Sequence, residues 1–124
     1  MELNTVRLFV RDLAAARAFY ADVLDLPLQA ANAELGYCVF AAGRGVTLVV
    51  ERVEAQAEPE EQALVGRFSG LSFAVPDLEA RYQALQARGV VFSGAPELQA
   101  WGGRLATLLD PAGNALQLVQ LPAA

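Results

Sequence analysis

A chain of 124 residues that is 55% hydrophobic, with mean hydropathy +0.32, has enough apolar material for one packed core and is no disordered tail. A formal charge of −5, with nine basic residues that are all arginine and scattered, excludes nucleic acid as a partner, because phosphates demand clustered cations. With no histidine, no lysine and one cysteine, the chain can build no Ser-His or Cys-His nucleophile, no imidazole metal ligand, no lysine Schiff base and no internal disulfide.

No apolar run approaches the roughly 18 residues of a membrane span, and the N-terminus has no basic stretch followed by a hydrophobic one. The expectation is a cytoplasmic protein with no membrane partner. Residues 3–10 read as a strand with Val6, Leu8 and Val10 on one face and Thr5, Arg7 and Phe9 on the other. A helix is predicted from Asp12, whose carboxylate can accept the free N–H groups of the first turn; Leu13, Ala16, Tyr20, Val23 and Leu24 form its buried stripe and Pro27 stops it. A weak strand follows at 27–32. Leu35 to Ala41 and Val46 to Val53 then form a hairpin across Gly43-Arg44-Gly45. Cys38 lies in the first of these strands and reads as buried filler.

Residues 54–66 are acidic, contain Pro59 and lack alternation, so they read as a flexible connector with Glu58, Glu60 and Glu61 as a solvated face. A second strand begins near 68, and a second helix starts at Asp77, carries Leu78, Tyr82 and Leu85 on one stripe and ends at Gly89. Val90 to Phe92 resume as strand, and 93–103 read as a loop around Trp101. Arg104 to Leu109 pair with Asn114 to Leu121 across a turn in which Pro111 and Gly113 set the backbone and Asp110 is structural.

The two halves repeat one another. Val10-x-Asp12-Leu13 returns sixty-five positions on as Val75-x-Asp77-Leu78, each time at the junction of a strand and a helix. The order is βαβββ, connector, βαβββ: an α+β fold in a single domain, with module 1 at about 1–53, the connector at 54–66 and module 2 at about 67–124. One such module leaves a sheet face uncovered, and two together form a cup-shaped curved sheet suited to a small molecule.

In that order, Val10-Arg11-Asp12-Leu13 with Phe19-Tyr20 and Val23-Leu24, Phe73-Ala74-Val75-Pro76-Asp77-Leu78, and Trp101-Gly102-Gly103-Arg104 with Asp110-Pro111-Ala112-Gly113-Asn114 resemble the vicinal oxygen chelate superfamily, the glyoxalase I, bleomycin-resistance and extradiol dioxygenase relatives. The resemblance spans essentially the whole chain. It implies a homodimer whose halves exchange through 54–66. It also implies, for the family's enzymes, one divalent metal held by four side chains, typically His and Glu. Those positions fall here on Thr5, Val49, Gly70 and Gln117, which offer a hydroxyl, an alkyl group, bare backbone and an amide. A catalytic divalent ion needs about three His, carboxylate or thiolate ligands. The expectation is therefore no metal and no other cofactor, with glyoxalase and dioxygenase chemistry disfavoured; the family's metal-free antibiotic-sequestering branch fits better.

If the strand faces to which the resemblance assigns the ligand positions line the cup, period-two alternation turns Thr5, Arg7, Phe9, Thr47, Val49, Glu51, Gly70, Ser72 and Gln117 inward. Arg7, Phe9, Thr47, Val49, Glu51, Ser72, Trp101, Arg104 and Gln117 are the candidate contacts to a small organic ligand. Arg7 and Glu51 form an ion pair or meet opposite ends of the ligand. Trp101 stacks on a planar ligand, covers the pocket mouth, or packs a helix or dimer seam. Arg104 is an anion contact or a solvated strand-end charge. Three functions remain open: a metal-independent binding protein for an antibiotic-like or aromatic molecule; an enzyme of the same fold, a glyoxalase-type lyase or a dioxygenase with non-standard or no metal ligands, in which Glu51 is the candidate acid or base; and a module that binds a protein partner through a sheet surface.

Overall fold

The computed structural model describes residues 1–123. The chain builds two compact units, one from Met1–Arg67 with Pro111–Asn114 and one from Phe68–Asp110 with the residues from Ala115 onward.

In the first unit, β1 (Thr5–Val10), α1 (Leu13–Ala18), β2 (Leu28–Asn32), β3 (Tyr37–Ala41) and β4 (Thr47–Arg52) are followed by a short α2 (Pro59–Gln62). The sheet order is β1-β4-β3-β2, with β1 parallel to β4 and the other pairs antiparallel. Asp12 caps α1, its Oδ1 accepting the Ala15 N–H at 3.0 Å. α1 continues as a π-helical turn over Phe19–Val23, in which the Leu24 N–H donates to the Phe19 carbonyl. The adjacent Phe19 and Tyr20 of this turn are both buried in the core, edge to face with centroids 5.1 Å apart, three and four residues after buried Ala16. Leu8, Val10, Leu13, Ala16, Phe40, Leu48 and Val50 complete that core between helix and sheet.

The second unit repeats the plan with β5 (Phe68–Ala74), α3 (Leu78–Ala87), β6 (Val91–Phe92), β7 (Glu97–Leu98), β8 (Arg104–Leu109) and β9 (Ala115–Gln120). Its sheet runs β5-β9-β8-β6, β5 and β9 being parallel, and β7 pairs with β8. Asp77 caps α3 through Ala80 N–H at 3.1 Å, and Gln120 Oε1 accepts the Leu78 N–H at 2.8 Å. Leu78, Leu85, Ala106, Leu108, Leu116 and Leu118 form the core.

Four expectations are corrected. The first helix stops before Pro27: Asp25 takes a left-handed φ of +58° and the Leu26 N–H reaches back to the Tyr20 carbonyl. Leu35 is an exposed turn residue, held where Asn32 Oδ1 accepts its N–H, and the hairpin strand starts at Tyr37. The connector 54–66 is ordered by a helical turn: Pro59 opens it, and Gln62 Nε2 donates to the Glu54, Ala55 and Ala57 carbonyls. The 93–103 loop contains β7, whose Glu97 and Leu98 face Leu105 and Arg104.

Candidate functional site

Each sheet packs one face against its helix, and the predicted site residues are tested by the other. In the first unit, strand pairing lays out three rows on the open face: Thr5 with Thr47 and Ala41, Arg7 with Val49 and Val39, and Phe9 with Glu51 and Tyr37. The residues between them on β1 and β4, Leu8, Val10, Leu48 and Val50, are buried against the helix, which fixes the parity. Thr5, Arg7, Phe9, Thr47, Val49 and Glu51 therefore share one face. Arg7 Nε lies 3.4 Å from Glu51 Oε1 on the diagonal between two rows, with 62% and 33% of the side chains exposed. The pair neutralises both charges on a surface otherwise made of Thr, Ala, Val, Phe and Tyr.

The open face of the second unit carries an uncharged row, with the Glu97 carboxylate beside it, opposite Leu105. Ser72 pairs with Gln117 and Gln117 with Thr107. The Ser72 hydroxyl donates to Gln117 Oε1 at 3.3 Å and Gln117 Nε2 donates to Thr107 Oγ1 at 3.4 Å, a hydroxyl-amide-hydroxyl row across three strands. A cavity of about 250 Å³ covers part of it, lined by Gln117, Thr107 and Leu105 and by Ser93, Glu97 and Gln99 of the segment before β8. Gly70 sits at an irregularity of β5: its φ is +76°, pairing shifts between Phe68 and Ser72, and the Ser69 hydroxyl ties the strand to the Ala115 carbonyl. A side chain is strained at that φ, so Gly70 serves the bulge.

Two candidates are placed elsewhere. Arg104 has the parity of buried Ala106 and Leu108, so it belongs to the helix side of its sheet, away from Thr107 and Gln117. Trp101 is half exposed, and its ring lies on the backbone of buried Gly103, where an added Cβ would come 1.9 Å from ring atom Cζ3. Gly103 therefore gives the indole a seat. Sequence reading missed Asn114, buried to 1% exposure: its Nδ2 donates to the Phe9 carbonyl at 2.9 Å and its Oδ1 accepts the Gly66 N–H at 2.8 Å. It holds the backbone of Phe9, in Glu51's own row. The Asp-Pro-x-Gly-Asn run signals a turn, and nothing in it marks the last residue as a long-range clamp.

The four positions to which the resemblance assigns metal ligands carry the same donors in space. Thr5 is exposed with its hydroxyl on Asn4, Val49 has no donor, Gly70 has no side chain, and both ends of the Gln117 amide are engaged. Among the described residues no group of three or more His, Cys, Asp or Glu side chains could hold a metal ion. This donor chemistry does not fit a catalytic divalent ion. Cys38 is buried in the sheet, and burial pushes its thiol above the ordinary value, with Arg17 pulling the other way.

Residues 2–118 match the family model described as Glyoxalase/Bleomycin resistance protein/Dioxygenase superfamily. The chain is 30% identical over 128 aligned positions to the uncharacterized protein YraH of Bacillus subtilis (strain 168), covering 98% of this chain and 99% of that one. A member of the same superfamily from Sphaerobacter thermophilus DSM 20745 superposes with TM-score 0.79 at 25% identity, over 98% of each chain. TnmS3, an antibiotic binding protein from Streptomyces sp. CB03234, superposes with TM-score 0.77 at 28% identity, over 99% of this chain and 97% of its own.

Proposed function

On the premise that the chain belongs to the glyoxalase/bleomycin resistance protein/dioxygenase superfamily, we propose that it is a metal-independent protein that binds a small, partly aromatic organic molecule on the open faces of its sheets. The observation that carries this reading is the donor set: Thr5, Val49, Gly70 and Gln117, at the positions to which the resemblance assigns the ion, offer no His, carboxylate or thiolate. The faces that remain are apolar with a few polar anchors, Arg7 and Glu51 on one and Ser72, Gln117 and Thr107 on the other, a composition that suits an organic ligand. The likeness to an antibiotic-binding protein supports the same reading. The protein works as a homodimer in the cytoplasm, a compartment that suits the free thiol of Cys38.

The test is metal content after incubation with nickel, zinc, iron and manganese and passage through gel filtration. Near-zero metal is expected, with elution at the mass of two chains. Titration with bleomycin and aromatic antibiotics should then give saturable heat in calorimetry without turnover, and Arg7→Ala or Gln117→Ala should weaken binding by roughly tenfold. One tightly held metal per chain overturns the proposal. A second reading, catalysis by Glu51, draws on its being the one carboxylate in the open-face rows of the first sheet. It would replace binding alone if turnover is detected and Glu51→Gln removes it while binding persists.

A further inference from the structure

On the helix side of the first sheet, Arg11, Arg17 and Arg52 converge on a cavity of about 520 Å³ between α1, the β2–β3 turn and Cys38. Three of the nine arginines of a chain with net charge −5 thus meet at one place. Two of them are held in position. Arg52 lies across Gly36 and donates from Nε to Glu54 at 3.0 Å, from Nη1 to the Ala33 carbonyl at 2.8 Å and from Nη2 to the Glu34 carbonyl at 3.4 Å. Arg11 donates to both the side-chain and the backbone carbonyl of Gln62. Arg17 differs: among the described residues it carries neither a hydrogen bond nor an ion pair. Asp12 is the one acid in the lining, and it is engaged as the helix cap. Between these charges the wall is apolar, formed by Leu13, Ala14, Ala31 and Ala33 with Cys38. The volume lies within the roughly 300–1,000 Å³ of small-ligand pockets.

We propose that this cavity is a second ligand site, distinct from the open sheet faces, for a small monocarboxylate with an apolar body. The body lies against Leu13, Ala14 and Cys38. The carboxylate takes the two parallel N–H donors of Arg17, the arrangement a planar guanidinium offers a planar anion, while Arg11 adds a fixed positive charge and Arg52, its own charge paired with Glu54, holds the wall in place. Their immobility lowers the ordering cost of binding, since only Arg17 has to settle.

The experiment is an amide-resolved NMR titration of the full chain with 2-naphthoate, repeated with its neutral analogue 2-naphthamide. The shifts should saturate and centre on Leu13, Ala14, Ala33 and Cys38, and the amide should bind at least about fivefold more weakly than the acid. Arg17→Gln, a change at an exposed side chain, should weaken 2-naphthoate by a similar factor, and Ala14→Phe should abolish the shifts by filling the cavity. The proposal is overturned if the shifts centre on Arg7, Val49 and Glu51, if none saturate, or if acid and amide bind the unchanged protein equally. These outcomes leave the metal measurement above untouched, so the two readings fail separately.

Discussion

The two βαβββ-type units share a strand order and differ on the faces their helices leave open. Leu48 and Leu116 occupy matching places on the last strand of each unit, both fully buried under a helix, and Asp12 and Asp77 cap those helices in the same way. On the open side, the pair Arg7 and Val49 corresponds to Ser72 and Gln117, and the pair Phe9 and Glu51 to Ala74 and Val119. One face carries an ion pair among aromatics, and the other a neutral hydrogen-bonded row. The helix side must fill a fixed volume next to a helix, so it tolerates little change; the open side has no such partner within its own unit and has diverged. The ligand binding proposed above would draw its preference from the differences between the faces.

The sharpest test of the shared side is Leu48→Ala against Leu116→Ala. Each should cost about 3 kcal/mol in chemical denaturation, and a gap much larger than 1 kcal/mol would show that the two cores are not equivalent. Asn114→Leu probes what the first half lacks, since its matching position is Val46. Leaving the Phe9 carbonyl and the Gly66 N–H without a partner should cost about 2–3 kcal/mol by urea titration, and an unchanged midpoint would remove Asn114 as a clamp. Smallest are the caps: Asp12→Ala and Asp77→Ala should each lower stability by about 1 kcal/mol in thermal unfolding. Unequal losses would point to Gln120, whose side chain gives α3 a second N-terminal bond.

Much of the fold is legible because strand and cap signals are local. The alternation in Val6, Leu8 and Val10 and the repeated Asp at each helix start are set by neighbours within four residues, and the structure keeps both. The π-helical turn is not legible, because the extra residue is accommodated by the shape of the core around Phe19 and Tyr20. β7 is equally hidden: two residues, Glu97 and Leu98, are strand only because β8 offers them an edge.

The same division runs through the candidate site. Sequence alone determined the chemistry available: no imidazole, no lysine, and hydroxyl, alkyl, glycine and amide at the four positions to which the resemblance assigns metal ligands. Alternation alone also determined that Arg7 shares a side of its strand with Thr5 and Phe9, and Glu51 with Thr47 and Val49. Only the tertiary structure decided that their charges meet at 3.4 Å, that Arg104 lies on the helix side, that Trp101 is seated on Gly103, and that three scattered arginines gather around one cavity. Residue types fix what a side chain can do, whereas distances between residues far apart in the chain are set by packing, which no local pattern encodes.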